Sequence, residues 1–420
     1  MINRLKFVLE PVHKSNEFMS ISFRSWPTSL TNSFAFRPQK TQHERFICIN
    51  SYPNPNLYHH LPQSKLANMS VASYQRPKHR VAIIGSGNWG SAIAKLAAEN
   101  TARHGDTFER DVPMWVYEEQ VNGRNLTNII NEDHENVKYL PGVQLPANLK
   151  AVPSLPASCR GATMLVFCLP HQFIPNICRQ LREANVIATG AFAVSLTKGV
   201  DVIGDKIKIF ADVIEEELGI SCSALSGANI ANEVACNKFS ETTIGYRIKS
   251  EGKLWQKLFH TSQFHVQIIE DRIGVSLCGA LKNVVAIAAG FCDGLGWGNN
   301  AKAAVMRIGL LEMKNFSMEF FSGVKPETFV QESAGVADLI TTCFGGRNRL
   351  CAEAHVKTGK PFSQLEAELL GGQKLQGVAT AQELHTFLKA RGRVGAYPLF
   401  NVVYKISFEN LDPAKLSAHL

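Results

Sequence analysis

Apolar and polar positions follow two different rhythms along this 420-residue chain, and the change falls near residue 270. From residue 80 to residue 268, short uncharged runs alternate with longer mixed stretches. The runs are Val81–Ile84, Pro113–Tyr117, Ala162–Leu169, Ala191–Leu196 and Cys222–Leu225. A short apolar run without alternation predicts a parallel strand buried on both faces. The stretches between them hold helix formers, as in the Ala/Leu-rich segment ending near Glu99 and the helix beginning at Leu126. Pro141-Gly142 predicts a loop. Several runs end in a polar or turn-forming motif: Pro170-His171-Gln172-Phe173, Thr197-Lys198-Gly199 and Ser226-Gly227-Ala228-Asn229. This alternation predicts an α/β fold, a Rossmann-type doubly wound parallel sheet with its ligand crevice at the strand ends.

Beyond residue 270 the pattern is helical. Ile273–Cys292 is twenty residues long with Lys282 as its only charge, and Lys302–Glu319, Gln364–Leu370 and Thr380–Lys389 read as further helices. An all-helical second domain follows. Twenty apolar residues could span a bilayer. However, Lys282 and Asn283 stand mid-segment among small residues, with Glu270 and Asp271 just before, so a buried core helix is predicted instead. Residues 1–68 show neither periodicity and are rich in Ser, Asn, Pro and His, which predicts disorder. They resemble a transit peptide faintly, and Met69 offers an alternative start. The predicted organisation is an extension at 1–75, a dinucleotide-binding domain at 76–268 and a helical substrate domain at 269–420.

Composition changes this picture little. Hydrophobic residues at 45% and charged residues at 19% are ordinary for a globular chain. Of the net +8, residues 1–68 carry +5, leaving +3 for the body, which argues against nucleic acid as a partner. The ten cysteines are scattered singly, the pattern of buried thiols in a reducing compartment, and no Cys/His cluster indicates a metal.

Chemistry enters first at Arg80–Glu99, where a strand runs into Gly85-Ser86-Gly87-Asn88-Trp89-Gly90 and then a helix. Strand, Gly-x-Gly-x-x-Gly and helix in succession form the dinucleotide fingerprint. Gly85 turns the chain, Gly87 lets the backbone approach a pyrophosphate, and Gly90 lets the helix pack on its strand. Free N–H groups at the helix start face the phosphates. Glu118-Glu119 at the end of the second strand suits the ribose hydroxyls of NAD and repels the extra phosphate of NADP.

Lys282 is the most informative single residue. A buried ammonium is costly without a partner or a use, and burial lowers its pKa toward neutrality, where it can exchange protons. Asp338 and Thr342, four apart, share a helix face. Gly345-Gly346 then frees the backbone ahead of Arg347, whose fork suits a bidentate grip on phosphate. The final Ala418-His419-Leu420 has the general form of a peroxisomal address, expected on a free, exposed tail.

Together these residues resemble the eukaryotic NAD-dependent glycerol-3-phosphate dehydrogenases. The resemblance rests on GSGNWGSAIAK at 85–95, HENVKYLPG at 134–142, PHQF at 170–173, LTKG at 196–199 and LSGANIANEVA at 225–235. It continues through CGALKNVVA at 278–286, GFCDGLGWG at 290–298, GVADLITTCFGGRNR at 335–349 and GQKLQG at 372–377. It covers about residues 78 to 405. The resemblance implies a cytoplasmic homodimer that reversibly reduces dihydroxyacetone phosphate with NADH; a minor peroxisomal pool is expected separately, from the terminal tripeptide alone.

Position by position, the resemblance implies that Gly85, Ser86, Gly87, Asn88, Trp89, Gly90, Tyr117, Phe173 and Ala231 hold NAD. Tyr117 stands where the family usually has phenylalanine. Lys282 is the implied proton donor and acceptor, with Lys198, Asn283, Asp338 and Thr342 completing the reacting centre. Arg347 and Asn348 take the substrate phosphate beside Lys198, and Arg347 also lies near NAD. Lys374 and Gln376 close over the cofactor.

Two other readings have the same architecture. A hydroxyacid or hydroxyacyl-thioester dehydrogenase would carry a His–Glu pair on the helix that here bears Lys282-Asn283. A non-catalytic NAD-binding regulator would keep the glycines and lose Lys282 or Asp338, and both residues are present.

Overall fold

Val81–Ile84 (β1), with all four side chains buried, lies at the centre of the sheet in a computed structural model that describes residues 77–420. Asn88–Arg103 (α1) follows, then Val112–Trp115 (β2), Leu149–Val152 (β3) and Met164–Phe167 (β4). Phe192–Ser195 (β5), Ser221–Ser226 (β6), Ser240–Gly245 (β7) and Phe264–Ile269 (β8) complete eight strands. Their order is β8-β7-β6-β5-β4-β1-β2-β3. The six strands from β3 to β6 run parallel; β7 turns antiparallel to β6, and β8 pairs parallel to β7. All six parallel strands therefore end at one edge. The chain order reverses between β1 and β4, which is where a doubly wound sheet opens a crevice.

The apolar runs became strands because each is buried on both faces. Sequence reasoning missed β3, β7 and β8, which carry Lys150, Glu241, His265 and Gln267 and lie toward the sheet edges, where polar residues face solvent. It also missed a hairpin of Val200–Ile203 and Lys206–Ile209 just after Lys198. The loop expected at Pro141-Gly142 is instead part of a short strand, Leu140–Gln144, paired with Glu135–Asn136. Gly142 adopts φ +76 there, so the irregularity is absorbed within the pairing rather than ending it.

The helical half is built on Arg272–Leu295 (α2), with Gly298–Phe320 (α3), Asp338–Gly345 (α4), Arg347–Thr358 (α5), Phe362–Leu370 (α6) and Gln376–Ala390 (α7) around it. Asp271 starts α2 by accepting a hydrogen bond from the Gly274 N–H at 2.7 Å, and Gly296 ends it in the left-handed region. The helix is apolar and long enough to cross a membrane, yet it is enclosed by its neighbours and packs on β6 and β7. Its small residues allow that enclosure, since each leaves room for a flanking helix.

Of the nine cysteines among the described residues, all are free, seven are buried, Cys168 is half-buried and Cys236 is exposed. The C-terminal tail is exposed at Ala418 and Leu420, as expected, but it is folded rather than free. Pro413–His419 forms a short 3-10 turn anchored by the fully buried Leu416, because a leucine there gains more from the core than from water. The expectations for residues 1–75 concern positions outside those described.

Candidate active site

Five of the six parallel strands deliver an expected site residue to the same edge. Gly85 follows β1, Tyr117 follows β2, Phe173 follows β4, Lys198 follows β5, and Ala231 comes five residues after β6. The glycine fingerprint behaves as its spacing predicts. Gly85 sits at φ +115, and a Cβ there would overlap the Cys168 carbonyl oxygen after β4. A Cβ on Gly90 would overlap the Gly85 carbonyl, so α1 can approach β1 only as glycine. At Gly87 a Cβ would meet nothing within 4 Å. Its backbone borders open space beside the first turn of α1, where the N–H groups of Asn88, Trp89 and Gly90 precede the first intrahelical bond, Ser91 N–H to Gly87 O at 2.9 Å. These features fit a dinucleotide pyrophosphate.

Neighbouring contacts fix this cradle. Asn136 donates to the Ser86 carbonyl at 2.9 Å, and Asn88 donates to the Tyr139 carbonyl at 2.7 Å and to Asn232 at 2.8 Å. Trp89 is tilted against Phe264 with ring centroids 6.4 Å apart. Tyr117 at 72% and Phe173 at 50% exposure present open aromatic faces, whereas the Ala231 side chain is buried in the sheet core. Glu118 and Glu119 are not free for a ribose as expected. Glu118 accepts from the Thr127 N–H and hydroxyl at the start of the helix Leu126–Asp133. Glu119 pairs with Lys138 and accepts from the Tyr139 hydroxyl at 2.6 Å, contacts that hold its carboxyl below the usual range.

Across the same edge, a cleft of about 230 Å³ lies between the strand ends and the helical half. Lys198, Lys282, Asn283, Asp338 and Thr342, the expected reacting centre, all line it. So do the expected phosphate and closing residues Arg347, Asn348, Lys374 and Gln376. Lys282 and Asp338 form a buried ion pair, with Asp338 delivered by a π-helical turn, Ser333–Ala337, that feeds into α4. Such turns recur at functional sites because they re-aim one residue. The Thr342 hydroxyl donates to the Asp338 carbonyl at 2.7 Å and lies 3.4 Å from Oδ1. Lys198 Nζ stands 3.7 Å from Oδ2 and is one-third exposed, between the buried pair and the opening. Burial is the main reason that Lys282 is lowered to about 7; Asp338 opposes that shift and Lys198 adds to it.

The phosphate end is more open. Arg347 is exposed and donates to Gln373. Asn348 is buried at the start of α5, donating to Asn283 Oδ1 at 3.0 Å and accepting from the Gly377 N–H at 2.9 Å. It thereby ties α2 to α7. Lys374 pairs with Glu366 at 2.8 Å, and Glu366 also accepts from the Leu375 N–H at 2.9 Å. Gln376 lies 3.1 Å from His171 Nδ1, and the His171 ring stacks on Phe210.

Sequence reasoning missed four of these participants. Ser226 donates to Asp338 Oδ2 at 3.2 Å, Gln373 holds Arg347, Glu366 holds the Lys374–Leu375 loop, and His171 meets Gln376. The polar cap after β6 and the PHQF and GQKLQG strings were signals for three of them; Glu366, on an ordinary amphipathic helix, gave none.

Comparison with known proteins is consistent with this geometry. Residues 80–251 match the family described as NAD-dependent glycerol-3-phosphate dehydrogenase N-terminus, and residues 271–418 match its C-terminus counterpart. The chain is 52% identical over 365 residues to glycerol-3-phosphate dehydrogenase [NAD(+)] of Eremothecium gossypii, covering 84% of this chain and 85% of that protein. It is 53% identical over 332 residues to the Bos taurus protein of the same name designated cytoplasmic, covering 79% and 94%. The solved glycerol-3-phosphate dehydrogenase of Saccharomyces cerevisiae superposes with a TM-score of 0.77 at 48% identity, covering 82% of this chain and 99% of that one.

Proposed function

The chain belongs to the NAD-dependent glycerol-3-phosphate dehydrogenase family, and from that premise we propose how its own residues carry the reaction. It is an NAD-dependent oxidoreductase that interconverts dihydroxyacetone phosphate and sn-glycerol 3-phosphate. When bound, NAD would supply or accept the hydride at the central carbon of the substrate. Residues 76–268 take the cofactor, with Gly85–Gly90 at its pyrophosphate and Tyr117, Phe173 and Ala231 along its length. Residues 269–420 carry the proton chemistry and the phosphate grip.

Lys282 is the proton donor in the reducing direction and the acceptor in the oxidising one. The observation that carries this reading is its position in the cleft, buried and paired with Asp338, with a pKa lowered to about 7. A group poised near neutrality gives and takes a proton with little driving-force penalty. Asp338 holds the ammonium in place, and the Lys198 charge stabilises the alkoxide that develops on the substrate oxygen. Asn283 and Thr342 orient the reacting end. Arg347 grips the phosphate through its planar fork, with Asn348 beside it, while Lys374 and Gln376 close the opening.

The test is direct. Purified protein should oxidise NADH with dihydroxyacetone phosphate and do so far less well with NADPH. Comparable kcat/KM on unphosphorylated dihydroxyacetone would remove the phosphate half of the reading, and equal rates with both nicotinamides would remove the cofactor half.

We place the enzyme in the cytoplasm as a homodimer, with a minor peroxisomal pool directed by Ala418-His419-Leu420. The Bos taurus relative, designated cytoplasmic, supports the compartment. Light scattering tests the dimer. Fusing residues 411–420 to a fluorescent protein tests the address, and a purely diffuse signal would dispose of it.

A further inference from the structure

We propose that Ser226 is a positioning residue that holds the orientation of Asp338 and, through it, the placement of the Lys282 ammonium. The proposal rests on the assignment of Lys282 and Asp338 to the reacting centre. The two oxygens of Asp338 have different partners. Oδ1 takes the Lys282 ammonium and faces the Thr342 hydroxyl at 3.4 Å. Oδ2 takes the Ser226 hydroxyl at 3.2 Å, and Lys198 stands off at 3.7 Å. Ser226 is thus the neutral donor that occupies the second oxygen. Without it, the donor left near Oδ2 among the described residues is Lys198, whose charge is needed toward the substrate.

The surroundings hold this hydroxyl in place. Ser226 is the last residue of β6, is buried, and its carbonyl accepts from the Thr242 hydroxyl at 3.1 Å on the neighbouring strand β7. Gly279, one turn before Lys282 on α2, faces it; a Cβ there would come within 2.8 Å of the Ser226 Oγ. The glycine therefore leaves the space in which the hydroxyl reaches Asp338. The segment just before Asp338 is bound to the same strand ends, since Ser333 donates to the Glu241 carbonyl at 2.9 Å and accepts from the Ala228 N–H at 3.3 Å. Sheet and helical half are joined rigidly around this one carboxylate.

A hydrogen bond holds a carboxylate oxygen in one direction. Losing the Ser226 hydroxyl leaves Oδ2 without its neutral donor, so the carboxylate can turn toward Lys198 and its hold on Lys282 weakens. The titratable groups around that carboxylate are Lys282 and Cys278 on α2, Lys198 after β5 and Cys343 on α4, and burial pushes both thiols upward, so neither ionises in the working range.

The experiment compares Ser226→Ala with the parent enzyme in NADH-dependent reduction of dihydroxyacetone phosphate. We expect kcat to fall about tenfold while KM for the substrate stays within about twofold, the scale of one hydrogen bond to a charged group. In the Asp338→Asn background, Ser226→Ala should cost little further. NADH binding by fluorescence reports folding, and the near-isosteric Ser226→Cys, a weaker donor, replaces Ala should that variant not fold. An unchanged kcat, or equal losses with and without the Asp338 carboxylate, overturns the proposal. If Asp338→Asn alone leaves kcat intact, the assignment of the reacting centre fails instead.

Discussion

Lys282 and Asp338, 56 residues apart in sequence, meet as an ion pair whose two side chains are each only 3% exposed. A buried pair of this kind contributes little net stability, because desolvation offsets the attraction. Its value lies in holding an ammonium whose proton leaves near neutrality. With Lys282 lowered to about 7, the direction of pH dependence follows. On the proposed role of Lys282 as proton donor, reduction needs the protonated form, so kcat/KM for dihydroxyacetone phosphate should fall as pH rises through about 7. Oxidation of glycerol 3-phosphate needs the neutral form, so its kcat/KM should rise over the same interval. Opposite slopes in the two directions, read from initial rates, are the expected result.

Lys282→Ala should lower kcat by at least about a hundredfold, the scale of a lost general acid. NADH should still bind, because the glycine cradle after β1 does not touch Lys282. Fluorescence titration alongside steady-state rates separates the two effects. Loss of NADH binding, or a kcat within a few-fold of the parent, would make Lys282 a structural residue.

The three fingerprint glycines should fail in different ways. A Cβ at Gly85 or Gly90 overlaps a backbone carbonyl, so Ala at either position should destabilise the fold, by about 1–3 kcal/mol as in other overpacked sites. Gly87→Ala meets open space, so its Tm should stay near the parent value. Its NADH affinity should drop sharply, because the new methyl occupies the space where the backbone meets the pyrophosphate. Melting curves with and without NADH distinguish the two classes.

Much of this was legible in the chain. β1, β4, β5 and β6 were readable because buried strands carry continuous apolar runs, and α2 because one lysine among twenty apolar residues demands a partner. Asp338 and Thr342 were placed on one face by spacing alone. What escaped depends on contacts between distant segments. Nothing local in Ser226 says that it will meet a carboxylate 112 residues later, and the partners of Glu118 and Glu119 appear only when the chain from Leu126 to Tyr139 folds back on them. Edge strands such as β8 alternate with polar residues and lack the signal of the buried ones.

Arg347 is the exposed cation at the open end of the cleft. Its guanidinium donates to Gln373, which already fixes one edge of the fork and leaves the rest for a ligand. A phosphate takes two parallel N–H donors from such a fork, whereas an ammonium offers a point charge on a flexible stem. Arg347→Lys therefore keeps the charge and loses the geometry. kcat/KM for dihydroxyacetone phosphate should drop at least about tenfold, the equivalent of one good charge-assisted hydrogen bond. Activity on unphosphorylated dihydroxyacetone, low to begin with, should change little, because no phosphate is there to grip. The ratio of the two substrates' kcat/KM values is the measurement, and an unchanged ratio would show that the phosphate is held elsewhere in the cleft.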